Sequence, residues 1–323
     1  MAVATLVLLV LATLLSLAVG ARPVSPAVLL DAWTAFDPAD GDQVVVRTRL
    51  PRTVVGMLAG SALGLGGAAM QGLARNPLAD PGILGVTAGA ALGVVLGLQA
   101  GVTGPTGQVW CALVGAGLAA AAVYAVACLG GARATPLRLT LAGAAVGAGL
   151  AAVTNALLIS SRQTLDSFRF WQVGSLAGRG WDVVQAVLPF LVVGAATTLA
   201  AGALLNGLAL GDDVARSLGQ RVGWGRAATA LGVVVLCGGA TALAGPMLFA
   251  GLVVPHLVRG LVGPDYRRVL PLSLLATPVL VLAADVLGRV VLPPGEVEAG
   301  VVTAVLGAPL FVWVVRRGRV AAW

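Results

Sequence analysis

Between residues 109 and 129 the chain carries no charged side chain. Wound as a helix at about 1.5 Å per residue, a run of that length rises roughly 31 Å. That matches the hydrocarbon core of a bilayer, which is about 30 Å thick. Apolar runs of comparable character occupy residues 2–19, 51–73, 83–99, 139–159, 183–205, 246–262 and 269–287, and two more end near residues 243 and 315. In lipid a backbone amide finds no water, so a spanning segment is either a helix or a strand of a closed barrel. These runs are about twice as long as barrel strands. The expectation is an all-α, polytopic membrane protein of about ten transmembrane helices, forming a single transmembrane domain over residues 1–323. Charge agrees: only 10% of residues are charged, against roughly 25% in soluble domains. Residues 2–19 read as the first span and not as a secretory leader, because no arginine precedes them.

Several chemistries drop out on residue types. Every basic side chain is an arginine, and lysine is absent. A phosphate loop ending in Gly-Lys-Ser/Thr is therefore impossible, as is a lysine Schiff base. His256 is the one histidine, which leaves no multi-histidine metal site. Cys111, Cys128 and Cys237 lie far apart in apolar runs and read as small core residues. An ion-coupled secondary transporter, the alternative reading, wants carboxylates within the spans; only Asp285, near a helix end, comes close. An intramembrane enzyme wants converging nucleophile, base or metal ligands, and none is visible. No catalytic group, cofactor, bound metal or nucleic-acid partner is expected.

Ten spans put both termini on one face, and arginine decides which. With the N-terminus inside, twelve arginines and four acids fall on the inner face, and eight arginines and nine acids on the outer. The expected topology is N-in and C-in.

Residues 47–85 organise the rest. Arg47, Arg49 and Arg52 stand at an outer mouth, where the positive-inside tendency disfavours them. They read either as anchors pairing with Asp40 and Asp42 or as a docking site for acids on an outside partner. Arg289, four residues after Asp285, adds to that patch and is also placed for a local helix pair. Below the mouth, Gly56, Gly60, Gly64, Ala68 and Gly72 recur every four residues. Such a small-residue stripe lets two helix backbones approach closely in lipid. Asn76 and Pro77 stop this helix, and Asp80 suits the N-terminus of the next. Trp171 and Trp181, in the polar stretch 160–182, suit a membrane interface. Pro255 precedes His256 inside a span; a proline there frees a carbonyl for nearby polar groups, which favours a structural over a gating role. Asn155 reads as lining a path through the bundle or, in preference, as a hydrogen-bond bridge between spans. On the inner face, residues 205–226 are polar, with Asp212 and Asp213 ahead of Arg216 as in a short surface helix.

The ordered motifs resemble those of the permease subunits of FecCD-type ABC importers. They run from Arg49-Leu50-Pro51-Arg52 through Gln71 and Arg75-Asn76-Pro77-Leu78-Ala79 to Gly174-Ser175-Leu176 and Leu205-Asn206. Leu210-Gly211, Ser217-Leu218-Gly219, Phe249, Pro255-His256, Arg259, Asp285, Arg289 and Gly307-Ala308-Pro309-Leu310-Phe311 complete the set. The resemblance spans nearly the whole chain. It implies ten helices per subunit, a second permease copy, two ATPase subunits on the inner face and a substrate-binding protein outside. It implies uptake of an iron-siderophore, heme or cobalamin-like chelate. It further implies that Arg49, Arg52 and Arg289 meet acids of the binding protein. Leu205, Asn206, Leu210, Gly211, Asp212, Ala215, Ser217, Leu218 and Gly219 would then couple to the ATPase. One departure is Glu298, which stands where the family often has proline; the extra acid would weaken the docking role of Arg289.

Overall fold

The structure is a computed structural model that describes residues 1–20, 22–129, 135–292 and 295–316. Among the described residues there is no strand. Ten helices form the bundle: α1 (Ala2–Ala18), α3 (Gly41–Ala74), α4 (Val86–Gln99), α5 (Pro105–Ala127), α6 (Pro136–Ser160), α8 (Trp181–Ala200), α11 (Val222–Ala244), α12 (Ala250–Val262), α13 (Tyr266–Val291) and α14 (Ala299–Arg316). Six are long and apolar enough to cross a membrane; α1, α4, α12 and α14 are shorter apolar helices. Four further helices lie between them: α2 (Pro26–Thr34), α7 (Arg162–Gln172), α9 (Gly202–Ala209) and α10 (Asp212–Ser217). The chain is a multi-pass membrane protein.

Span limits differ from the apolar runs where backbone chemistry overrides hydropathy. Helix α3 starts at Gly41, ten residues before its apolar stretch, because Asp40 caps it by accepting from the Asp42 N–H at 2.9 Å. Pro51 sits inside that helix without ending it. Residues 81–84 form a 3-10 turn capped by Asp80, and Gly85 at φ 73° resets the direction, so α4 begins only at Val86. Helix α12 begins at Ala250 and not at 246, since Gly245 (φ 73°) and Phe249 (φ 64°) both leave the right-handed region.

Helix α3 is the hub, packed by α13, α11, α12 and α8. Its small-residue stripe faces α13. A Cβ on Gly60 would lie 2.6 Å from Pro278 Cα, and one on Gly64 would collide with Thr277 and the Ser273 carbonyl. Side chains cannot fit at those contacts, so close backbone packing takes their place. Gly67, off the stripe, abuts the Gly251 carbonyl of α12. A second such seam joins α4 to α5, where Gly89 and Gly115 each meet the other's carbonyl and Gly93 meets that of Cys111. Trp171 departs from the interfacial reading: it is buried and stacks on Phe168 at 5.6 Å between centroids. Trp181 remains exposed. Asn155 is exposed on α6 and so lies on the outside of the bundle.

Candidate functional site

Two charged clusters mark opposite faces, and α3 reaches both. At one face, Arg49 and Arg52 of α3 meet the ends of α1 and α13. Arg49 is buried and donates to the carbonyls of Leu17 (2.9 Å), Ala18 (3.2 Å) and Arg22 (2.6 Å). Leu17 and Ala18 close the C-terminus of α1, where a cation complements the helix dipole. Arg52 grips Asp285 Oδ1 through Nε (3.0 Å) and Nη2 (2.8 Å), and its Nη2 also lies 2.8 Å from Glu296 Oε2. Arg289, one turn along α13, reaches Asp285 Oδ2 at 3.1 Å and donates to the Ser16 carbonyl at 3.0 Å. The Asp285 side chain is only 1% exposed, so one buried carboxylate serves two guanidiniums.

These contacts settle how the outer arginines are held. Neither Arg49 nor Arg52 pairs with Asp40 or Asp42; Asp42 instead meets Arg22 at 2.6 Å. Arg47 lies over the Phe36 ring, 3.8 Å from its centroid. Arg52, with 15% of its side chain exposed, and Glu296, with 35%, are the members of the cluster that reach solvent. Arg49 and Arg289 are buried within it. The acid bound to the cluster is Glu296, not Glu298.

At the other face the chain turns twice beyond the spans. Helix α3 ends at Ala74, and Arg75 takes a left-handed cap (φ 48°) that swings its guanidinium onto Asp212 at the start of α10. Asn76 Oδ1 accepts from the Leu78 N–H at 2.9 Å and shapes the turn carrying Pro77. Arg226 of α11 grips the same carboxylate with bonds of 3.0 and 3.1 Å. The Arg226 hydrogen bonds, joined by Arg75, hold the Asp212 carboxyl below the usual carboxylate range. Asn206 of α9 donates to Asp265 Oδ1 at 2.6 Å and accepts from the Tyr266 N–H at 2.8 Å, tying α9 to the start of α13. That bond likewise lowers the Asp265 carboxyl. Three spans are thus fastened to one short surface segment.

The segment has a buried and an exposed side. Leu205 and Ala215 are fully buried, whereas Leu210 and Leu218 are 69% and 64% exposed. Gly211 (φ 117°) and Gly219 (φ 77°) supply the turns on either side of α10, a conformation that other residues rarely adopt. The Ser217 hydroxyl donates to the Val214 carbonyl. Val214 and Trp224, not singled out from sequence, extend the exposed apolar surface; Trp224 is 81% exposed. An isolated exposed apolar side chain is ordinary, but a tryptophan amid arginines at a helix start was a readable signal.

Above this segment lies a polar network inside the bundle. Gln71 donates to the Leu252 carbonyl at 3.0 Å, and Arg259 donates to the Tyr266 hydroxyl at 2.8 Å and to Gln71 Oε1 at 3.4 Å. Pro255 is buried and His256 half-buried in α12, about one turn from Leu252 and Arg259 of that network. Sequence reading had matched Gln71 and Arg259 to the family without placing them together.

Ten packed helices, six of them long and apolar enough to cross a membrane, braced by a charged cluster at each face and joined by one helix that reaches both, define a polytopic membrane permease. The chain belongs to the FecCD transport family, whose model matches residues 8–317. It is 45% identical over 313 residues to the ferric enterobactin transport system permease protein FepD of Escherichia coli (strain K12), covering 97% of this chain and 93% of that one. It is 40% identical to the cobalamin import system permease protein BtuC of Halobacterium salinarum, over 89% of this chain and 77% of that one. A solved metal-chelate type ABC transporter in an inward-facing conformation superposes with a TM-score of 0.84 at 28% identity, over 97% and 98% of the two chains.

Proposed function

We propose that this chain is the membrane-spanning subunit of an ATP-driven importer for a metal chelate of the iron-siderophore, heme or cobalamin kind. The permeases to which it is similar are named for ferric enterobactin and cobalamin. The observation that carries the reading is the double anchorage of α3, to Asp285 through Arg52 at one face and to Asp212 through Arg75 at the other. Residues 1–323 act as one permease domain, oriented with the segment 205–226 and both termini in the cytoplasm. Two ATPase subunits seat on that segment, where Leu210, Val214 and Leu218 offer apolar contacts. A second copy of the permease covers exposed apolar faces such as that of α6, with Leu141, Val153 and Ile159.

Outside, a substrate-binding protein presents acids to the outer cluster. Arg52 receives one of them in exchange for Glu296, since these two side chains are the ones solvent reaches. The chain performs no covalent chemistry: nucleotide binding at the partner moves α10, and Asp212 passes that movement to α3 and α11. Asp285, the acid an ion-coupled mechanism would use, is already committed to two guanidiniums.

The experiment is ATP hydrolysis in liposomes holding this permease, its ATPase and its binding protein. Stimulation by the loaded binding protein is expected, and Arg52→Glu is expected to abolish it. Hydrolysis indifferent both to the binding protein and to Arg52→Glu would overturn the docking assignment.

A further inference from the structure

We infer that the protein carries a site for an anionic phospholipid, in a groove bounded by α1, α12 and α13 that opens at the arginine-rich face. The groove has two continuous parts. The deeper part, about 450 Å³, is lined almost wholly by apolar side chains, among them Leu8, Val258, Ala276, Leu280 and Ala283. The outer part, about 550 Å³, shares Leu261, Val262 and Leu272 with it and ends at Arg267 and Arg268. Both arginines are exposed, and neither makes an ion pair among the described residues.

Length and chemistry agree on the occupant. From Arg268 to Ala283 the groove follows α13 for fifteen residues, roughly 22 Å of helix. One leaflet of hydrocarbon is about 15 Å deep, so an extended acyl chain fits within the groove while its headgroup stays at the mouth. Apolar walls suit the chain and exclude a polar ligand. Two guanidiniums at the mouth select a phosphate and favour a net negative headgroup over a zwitterionic one, as basic pockets between membrane helices do. The mouth lies beside Asp265, to which α9 is tied through Asn206. A bound lipid would therefore rest against the base of the segment that moves during transport.

The test is native mass spectrometry of the purified protein in detergent, titrated with phosphatidylglycerol or with phosphatidylcholine of the same chains. The wild type should retain phosphatidylglycerol preferentially. Arg267→Gln with Arg268→Gln should cut that preference by roughly thirty-fold, the attraction of two arginines for an anionic surface. Ala276→Trp, which fills the groove and leaves the arginines in place, should lower retention of both lipids. Thermal unfolding of each variant separates site loss from misfolding. Equal retention of the two lipids by the wild type would overturn the inference. So would a double variant that loses ATPase binding but keeps its lipid preference, since the arginines would then belong to that protein interface. An Ala276→Trp variant that turns monomeric with its lipid retention intact would also overturn it, by assigning the groove to a second copy. None of these readouts requires transport, so the site can fail while the importer reading stands.

Discussion

Replacing Asp285 with asparagine removes the charge that a half-buried and a buried guanidinium share. Arg52 would keep an amide oxygen in place of Oδ1 and would still face Glu296, 2.8 Å from its Nη2. Arg289 would fare worse. Its side chain is 3% exposed, and what remains to it is the carbonyls of Asp285 and Ser16 and the Ser16 hydroxyl. Removing one partner of a buried ion pair costs about 3–5 kcal/mol, because the other charge stays desolvated. With Glu296 compensating one of the two arginines, the loss should fall near the low end, about 3 kcal/mol. Arg289→Met alone should cost less, since Asp285 keeps its two bonds from Arg52. The double variant, having no stranded guanidinium, should be more stable than Asp285→Asn by itself. Denaturant-induced unfolding in mixed micelles, run as a double-mutant cycle, measures all three. The reasoning is refuted if Asp285→Asn unfolds with the wild type, or if adding Arg289→Met only deepens its loss.

Two other perturbations probe the hub and the inner face. Gly64→Ala places a methyl against Thr277 and the Ser273 carbonyl, so it should cost about 1–3 kcal/mol as an overpacked contact, whereas Gly117→Ala, inside α5 where a Cβ meets nothing within 4 Å, should lose no stability. The Asp212 carboxyl is depressed by Arg226 and Arg75, so its contribution to stability is complete above the unfolded value of about 3.9 and disappears as pH falls through the folded one. Thermal scans from pH 6 downward should show the wild type losing more stability than Asp212→Asn below about pH 4; parallel losses would remove Asp212 from the account. Asp212→Asn should also loosen ATP hydrolysis from transport at neutral pH, measured in the same liposomes.

Much of the fold was legible because lipid imposes it. The lack of water leaves a long apolar run no option but a helix, so the helical class and the order of the apolar helices followed from hydropathy, while six of them are long enough to cross a membrane. The stripe from Gly56 to Gly72 announced a tight neighbour for the same reason: in lipid, only close packing rewards an absent side chain. Lysine's absence excluded a nucleotide loop without any structure. Local signals also carried the turns, with Asn76 and Asp80 each accepting a backbone N–H two residues on.

Partners distant in sequence were decided by the tertiary structure. Nothing in the spacing links Arg52 to an acid 233 residues away, or Arg75 to one 137 residues away. The sequence suggested Asp40 and Asp42 for the outer arginines because they are near in the chain; the bundle brings Asp285 nearer in space, where a buried charge needs it most. Nor could hydropathy separate Arg52 from Arg49 and Arg289, since all three stand at the ends of apolar runs and differ only in what the other helices cover. Sequence alone thus determined that this protein is a helical membrane permease. Which of its charges are buried and which stay within reach of solvent depended on how α1, α3 and α13 close over Asp285, because burial is a property of the packed bundle and not of any one helix.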